Sequence, residues 1–396
     1  MDSVIYALVL APALAELLPK SGMDASPTRI AFVGSILFAV FLAGWGTSAV
    51  WGPVADKYGR TRALAATIVV YAVFTGLSAF AMNVWQLGLF RFLAGLGVGG
   101  EWSMAGTYVA EAWPEDRRKM GAGYLQTGYY FGFFVAAALN YTVGAHYGWR
   151  AMFACGFVPV LVSIYTLSKV REPARWTRHA DEARRAHPLA EIFSAQYRKR
   201  TIVNSVLLTV AIIGLWAGAV YEPTAIVTLA KKAGMSAAES AKMVSIGTGV
   251  LSIGTILGCI ALPVFAERWG RKVTLAFYFF GMMITIPLAF GWAFYMDIGL
   301  ATFIAILFFM GFAGGNFAAF SLWLPEQYDT RVRATAFAFT TSVGRFVGAG
   351  VNFVLAGLVL RMGTLGTPVA LTGLAFGLGI LVIPFAIETT GRALPE

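Results

Sequence analysis

The sequence predicts an all-α membrane protein, with twelve transmembrane helices in two pseudo-symmetric six-helix bundles. Three observations carry that prediction. Of the 396 residues, 58% are hydrophobic and only 13% charged, whereas a soluble domain carries about 25% charged residues. Apolar runs of bilayer-spanning length recur from end to end between short polar segments. A polar, arginine-rich stretch at 169–200 divides these runs six and six, and a loop sequence on one side of it returns on the other.

The runs place helices near 3–18, 28–51, 62–82, 85–110, 120–143 and 150–168, then 201–221, 240–265, 272–294, 298–321, 335–358 and 366–387. Ser26-Pro27 offers an N-cap followed by proline at the first helical position, and Ser236 with Glu239 forms a capping box that opens the eighth helix. Pro12, Pro159, Pro287 and Pro384 lie inside apolar runs. Neighbouring helices can satisfy the carbonyls that these prolines free, so kinks rather than breaks are expected. The division gives an N-terminal bundle at 1–168, a basic linker at 169–200 and a C-terminal bundle at 201–396.

The net charge of +10 is distributed as a topology signal. Lys57, Arg60, Arg62, Arg117, Arg118, Lys119, the linker, Arg268, Arg271, Lys272, Arg331 and Arg333 all fall on one side. The opposite side holds only Lys20, Arg29, Arg150, Lys231, Lys232, Lys242 and Arg361. By the positive-inside rule both termini are cytoplasmic. This pattern argues against a nucleic-acid partner; the expected surroundings are membrane lipid. Cys155 and Cys259 sit in different apolar segments and suggest neither a disulfide framework nor a metal cluster.

The internal repeat sharpens the division. GPVADKYGRTR (52–62) between helices two and three matches PVFAERWGRKV (263–273) between helices eight and nine. Asp56 pairs with Glu267, Lys57 with Arg268, Gly59 with Gly270 and Arg60 with Arg271. GGEW at 99–102 resembles the GGNF that follows Ala313, which pairs Glu101 with Asn316. A site at the interface of two such halves would lie near mid-membrane.

Charges inside the apolar runs are the chemical anomaly. Arg91 and Glu101 share the fourth helix, ten residues and roughly 15 Å apart, too far to bridge directly. Gly95, Gly99 and Gly106 cluster on another side of that helix, as in a close-packed seam. Each unshielded charge at mid-helix costs about 2.5–3.5 kcal/mol on insertion scales, so Arg91 and Glu101 should meet water, substrate or a partner from another helix. Arg345 stands near the centre of the eleventh helix, with no acidic residue in that helix to pair with. Its planar fork suits a carboxylate, either of a substrate or of another helix. Gln126, Tyr129 and Tyr130 on helix five, Asn140 near its outer end, Asn316 on helix ten, and Thr340 and Asn352 on helix eleven could face a cavity or simply pack. His146 is at an outer helix end, and His179 and His187 are in the linker, so a titratable group inside must be a carboxylate: Glu101, Asp2, Glu16 or Glu222. Glu16 and Glu222 fall near the outer surface, where a solvated carboxylate is expected. No clustered His, Cys, Asp or Glu set and no nucleophile with a base lies at one depth, which argues against an enzyme.

The G-x-x-x-D-K-x-G-R loop, its weaker echo six helices later, and Arg91 followed by Gly95, Gly97 and Gly99 resemble the signatures of the major facilitator superfamily. GGEW, EAWPEDRR (111–118), GYLQTGYYFG (123–132), GWR (148–150) and LPEQYDTRVRATAF continuing to Arg345 are similar to its metabolite:H⁺ symporter branches, which carry sialate, aromatic acids and lactate. The resemblance implies a monomeric secondary transporter in a cell membrane, a bacterial inner membrane by the kinship. It would move a small organic anion by alternating access, without a cofactor and driven by H⁺, with Na⁺ as the other candidate ion. It implies substrate binding by Arg345, Arg91, Gln126, Tyr129, Tyr130 and Asn316, and proton coupling by Glu101 and Asp2. Gating falls to Asp56 and Arg60 in one loop and Glu267 and Arg271 in the other, the second latch being the weaker because Pro263 replaces Gly52. In these relatives another Asp precedes the position of Asp2; the chain begins at Met1, so a late start codon or a truncation is expected, and residues 3–18 barely span about 30 Å of hydrocarbon. A neutral sugar or polyol carrier, or a drug exporter of the same superfamily, is the competing expectation.

Overall fold

Each of the twelve apolar stretches forms helix, several of them in two pieces. The computed structural model describes residues 2–115, 117–219, 221–297 and 299–396, and within them all side chains but those of 2–4, 7, 27, 28, 31, 133, 137, 145, 215–219, 237, 238 and 360. The first stretch is α1 (Asp2–Lys20). The second bends from α2 (Pro27–Gly46) into α3 (Trp51–Tyr58), and α4 (Arg60–Leu77), α5 (Val84–Ala112) and α6 (Arg118–Leu139) follow. The sixth comprises α7 (Ala145–Ala154) and α8 (Pro159–Lys169), and the linker carries α9 (Ala174–Arg185) and the single turn α10 (Pro188–Glu191). The seventh is α11 (Arg198–Ala219) with α12 (Glu222–Lys232), and the eighth and ninth are α13 (Ala237–Arg268) and α14 (Gly270–Ile286). The tenth is α15 (Gly299–Gly314) with α16 (Asn316–Trp323), the eleventh α17 (Arg333–Met362), and the twelfth α18 (Gly366–Leu371) with α19 (Gly373–Val382). Among the described residues, eight stretches are long and apolar enough on their own to cross a membrane.

Local signals explain the edges. Ser26 accepts the Arg29 N–H to cap α2, and Ser236 and Glu239 close a reciprocal capping box on α13. Pro12 is carried inside α1, whereas Pro159 starts α8, Pro287 opens a π turn (Pro287–Trp292) and Pro384 sits in a closing 3₁₀ turn (Ile383–Phe385). The seventh helix ends at Ala219, near the expected 221, but a second piece, α12, follows it; Pro223, with no N–H of its own, stands in the first turn of α12.

Glycines set how closely the helices approach. A Cβ at Gly44 would lie 2.0 Å from the Phe92 carbonyl oxygen, and one at Gly95 2.2 Å from that of Phe41, so α2 and α5 touch backbone to backbone. The second half repeats the device: a Cβ at Gly254 or Gly258 of α13 would fall 2.2 or 2.1 Å from a carbonyl oxygen of α15. The two halves meet along two seams, one where α17 lies against α2, α3 and α5, the other where α6 lies against α13 and α16.

Candidate functional site

At the basic-loop end the first seam is closed by buried charge. Gly59, at φ 117°, breaks the chain between α3 and α4, and the αL-side angle that it tolerates turns Arg60 inward. Arg60 and Asp56, both fully buried, lie 3.0 Å apart. Asp56 reaches across the seam to the start of α17, where it accepts the backbone N–H groups of Ala334 (3.2 Å) and Thr335 (2.9 Å) and the Thr335 hydroxyl (2.6 Å). A carboxylate at a helix N-terminus meets unpaired N–H groups and the positive end of the dipole. Gly52 permits the approach, since a Cβ there would lie 2.5 Å from Thr335 Cα. Arg60 also donates to Glu111 at 3.0 and 2.9 Å, and Arg333 of α17 donates to the same carboxylate at 2.6 Å.

The second loop repeats part of this. Gly270, at φ 83°, turns Arg271 inward to donate to Glu326 at 3.0 and 2.8 Å, and Arg118 of α6 reaches the same carboxylate at 3.1 Å. The acid differs. Glu267 does not pair with Arg271 and does not cap α6; it meets the Lys119 ammonium at 2.6 Å, with 57% of its side chain exposed. Pro263 stands where Gly52 stood, and a cleft of about 310 Å³ between α6 and α13 is lined by Lys119, Tyr124, Pro263 and Glu267.

Two further carboxylates cap the loops from behind. Glu172 accepts the N–H groups of Thr61 (3.1 Å) and Arg62 (3.3 Å), and Glu388 those of Arg271 and Lys272, both at 3.0 Å. Burial opposes the charge on Glu388, but the Thr390 hydroxyl and these N–H groups outweigh it and hold the carboxyl below its ordinary range. The C-terminal segment completes the closure. Leu394 donates its N–H to Glu115 (3.1 Å) and accepts from Arg175 (3.1 Å), and Arg333 bonds the Pro395 carbonyl.

Deeper in the molecule Arg345 crosses the same seam. Its guanidinium carbon lies 4.4 Å from the Trp45 ring centroid and 5.8 Å from that of Trp102, both in the first half. Trp102 packs in turn on Phe337 (5.1 Å) and Phe317 (5.8 Å) and donates its indole N–H to Gln126 at 3.1 Å. Among the described residues no carboxylate forms an ion pair with Arg345, and Arg345 Nη1, Trp45 Nε1 and Asn316 Oδ1 are buried without a hydrogen-bonding partner. Buried polar atoms are nearly always satisfied, so these orphans are exceptions, and two of them, on Arg345 and Trp45, share one aromatic cluster.

The other nominated residues divide. Gln126 joins the cluster through Trp102, and Tyr129 is within electrostatic reach of Arg345. Tyr130 packs edge-on to Tyr129 at 5.4 Å and bonds Thr255 of α13. Arg91 is fully buried elsewhere, between the rings of Tyr6 (4.7 Å) and Phe41 (4.6 Å), and Phe41 in turn contacts Trp45 of the cluster at 5.7 Å. Glu101 is half-buried beside Trp102, and the Asp2 side chain lies outside the described residues. The Thr340 hydroxyl is spent on the Ala336 carbonyl (2.8 Å) of its own helix, while Asn140 opens a π turn. Glu16 is partly exposed and paired with Lys20 (2.7 Å) and Arg150 (2.8 Å). Glu222 corrects its expectation: as the first residue of α12 it packs against Thr248 of α13, and the residue is 1% exposed rather than solvated.

Reading the sequence missed Glu111, Glu326, Arg118 and Arg333. The signal was present, because EAWPEDRR and EQYDTRVR each begin with Glu and end seven residues on with Arg. Trp45 and Trp102 as neighbours of Arg345 had no linear signal, since the contact joins different halves.

Residues 3–351 match the sequence model of the Major Facilitator Superfamily. The chain is 29% identical over 385 residues to a protein of Cupriavidus pinatubonensis named "Probable 4-methylmuconolactone transporter", covering 92% of this chain and 85% of that one. It is 27% identical over 404 residues to the niacin transporter NiaP of Acinetobacter baylyi, covering 92% and 85%. A solved structure of the proton:xylose symporter XylE bound to 6-bromo-6-deoxy-D-glucose superposes with a TM-score of 0.80 at 18% identity, over 99% of this chain and 94% of that one.

Proposed function

The chain belongs to the Major Facilitator Superfamily, a family of transporters and not enzymes, and from that premise we propose that it moves a small organic anion across the membrane by alternating access, with a proton as the coupled ion. The observation that carries the reading is Arg345: a buried guanidinium between two tryptophans, with no carboxylate paired to it among the described residues and one nitrogen lacking a hydrogen-bond partner. A carboxylate of the substrate supplies what that nitrogen lacks, and the rings of Trp45, Trp102, Phe317 and Phe337 supply an apolar, π-faced wall for the rest. A neutral substrate would leave the charge buried and unmatched, at a cost of several kcal/mol. Monocarboxylates, aromatic acids and sugar acids all fit this chemistry. The muconolactone and niacin carriers among the relatives support the aromatic and unsaturated acids.

In this reading the two halves, 1–168 and 201–396, rock about the site. Asp56, Arg60, Glu267 and Arg271 form the gate of this reading, and by the positive-inside rule that gate and both termini face the cytoplasm of a cell membrane. Glu101, next to Trp102, and Asp2 carry the proton. In the proposed coupling, an anion that neutralises Arg345 makes the site less positive and so favours a proton on Glu101, and binding and protonation then reinforce each other.

The test is uptake by proteoliposomes of benzoate, cis,cis-muconate, lactate, sialate and glucose, with and without an imposed inward proton gradient. Accumulation of an acid that responds to the gradient is expected. Arg345→Lys should reduce it at least tenfold while the protein inserts normally. Uptake of glucose alone, or wild-type uptake by Arg345→Lys, would overturn the assignment.

A further inference from the structure

At the break between α11 and α12 stands Glu222, which the gate and the Arg345 cluster do not use. Its side chain turns into the second half. The residue is 1% exposed, between buried Ala225, Ile226 and Leu229 of its own helix and the face of α13. The Thr248 hydroxyl lies 3.3 and 3.2 Å from its two oxygens, but a hydroxyl has one proton and can donate to only one of them. Gly247 makes the room: a Cβ there would lie 3.0 Å from Glu222 Oε1.

Among the described residues no cation faces it. The elements that pack most extensively against α12 are α13, α15 and α11. α15 carries no titratable side chain, and the Arg198, Lys199 and Arg200 of α11 are at the far end of that helix. On α13 the ionisable groups are Glu239, Lys242, Cys259, Glu267 and Arg268. Glu239 is bound to Ser236, and Lys242, six residues before Thr248, is exposed. Lys231 and Lys232 lie at the opposite end of α12, roughly 13–15 Å along the axis. Tyr221 is the one titratable neighbour in the chain. Among the described residues Glu222 takes part in no ion pair. A carboxylate dried by packing and given a single hydroxyl donor is far better accommodated as the neutral acid, whose own O–H is a donor. Losing the proton requires water, and water requires that α12 separate from α13. The Pro223 break is where that separation can hinge.

We propose that Glu222 is a second proton-binding site of the transport cycle, protonated while α12 lies on α13 and deprotonated when α12 swings away. The step is an acid–base exchange: the carboxylate takes a proton from water to become the acid, and returns it to water when exposed. The inference rests on the proton-coupled reading above and adds a site in the other half, remote from Glu101.

The full chain in vesicles of phosphatidylethanolamine and phosphatidylglycerol is titrated by infrared spectroscopy from about pH 5 to about pH 9, where ordinary carboxyls are already ionised above about pH 6. A protonated-carboxyl band that persists beyond that point, is absent in Glu222→Gln and remains in Glu101→Gln is expected. Thr248→Val, which removes the one donor to the carboxylate, should move the loss of the band to higher pH. Spin labels at Lys231 and Lys242 should move apart as the band disappears, and stay close at every pH in Glu222→Gln. A band unchanged in Glu222→Gln, no shift in Thr248→Val, or a label distance indifferent to pH each overturns the proposal. These readouts need no substrate. Failure of the uptake panel would therefore refute anion transport and leave the Glu222 result standing.

Discussion

Arg333 crosses from the second half of the protein to hold Glu111 of the first at 2.6 Å, and Arg118 crosses the other way to hold Glu326 at 3.1 Å. These two exchanges are related by the internal repeat, and each carboxylate is shared with the inward arginine of its own half, Arg60 or Arg271. The two halves are thus held by two interlocked triads, in which separating one half from the other leaves each carboxylate one arginine rather than none. Such an arrangement favours a closed state without making it irreversible.

The Glu111 triad is fully buried, so removing one partner strands the others. Glu111→Gln should cost about 3–5 kcal/mol of closed-state stability. Thermal unfolding in detergent should show a lowered midpoint, and Glu111→Gln combined with Arg333→Gln should cost less than the sum of the single changes. Strict additivity would show that the pair is not coupled.

The two latches should differ in strength. Asp56 is wholly buried with three hydrogen bonds to α17, whereas Glu267 is largely exposed on a lysine. Asp56→Asn leaves an N-cap half satisfied and an arginine undercompensated, and should cost about 1–3 kcal/mol. Glu267→Gln should cost less than about 1 kcal/mol. Distance distributions between spin labels at Tyr58 and Arg331 report the closed fraction, and equal effects of the two substitutions would contradict this ranking.

Gly52 is the steric counterpart. An alanine there drives its Cβ against the α17 backbone rather than a flexible side chain, so Gly52→Ala should shift the same label pair toward the separated population. An unchanged distribution would mean that α3 and α17 slide without strain.

The pH response of the loop-end contacts follows from carboxyls at the loop surface. Burial opposes the charge on Glu115, but the Arg118 side chain, the Leu394 N–H and the Arg175 charge outweigh it and lower its pKa; Glu388 is lowered as well. A depressed acid contributes stability above its unfolded pKa, and that contribution is lost as pH falls through the folded value. The tie to the C-terminal segment should therefore be intact at neutral pH and weaken only below the ordinary carboxylate range. Hydrogen exchange at Leu394 as a function of pH measures this, and loosening as pH rises from 6 to about 8 would reverse the sign.

Much of the molecule was legible in the chain. Apolar length specified the helices, since a bilayer tolerates little else, and Ser26-Pro27 and Ser236 marked edges that held, whereas Pro159, expected as a kink, starts a separate helix. The repeat exposed Asp56, Arg60 and Arg271 through their glycine-bounded loops. What stayed hidden was pairing. Arg271 chose Glu326 over Glu267, Arg91 settled between two rings, and Glu222 was buried against α13 because its own short helix, α12, folds back onto that face.

Composition, charge asymmetry and repetition determined a twelve-helix protein of two matched halves, because these are properties of each segment in its solvent. Which charges neutralise one another was decided only when the halves came together. A guanidinium cannot signal in a linear sequence that its neighbours will be Trp45 and Trp102, as that contact arises from backbone approach at distant glycines and from the seam that α17 makes with α2 and α5.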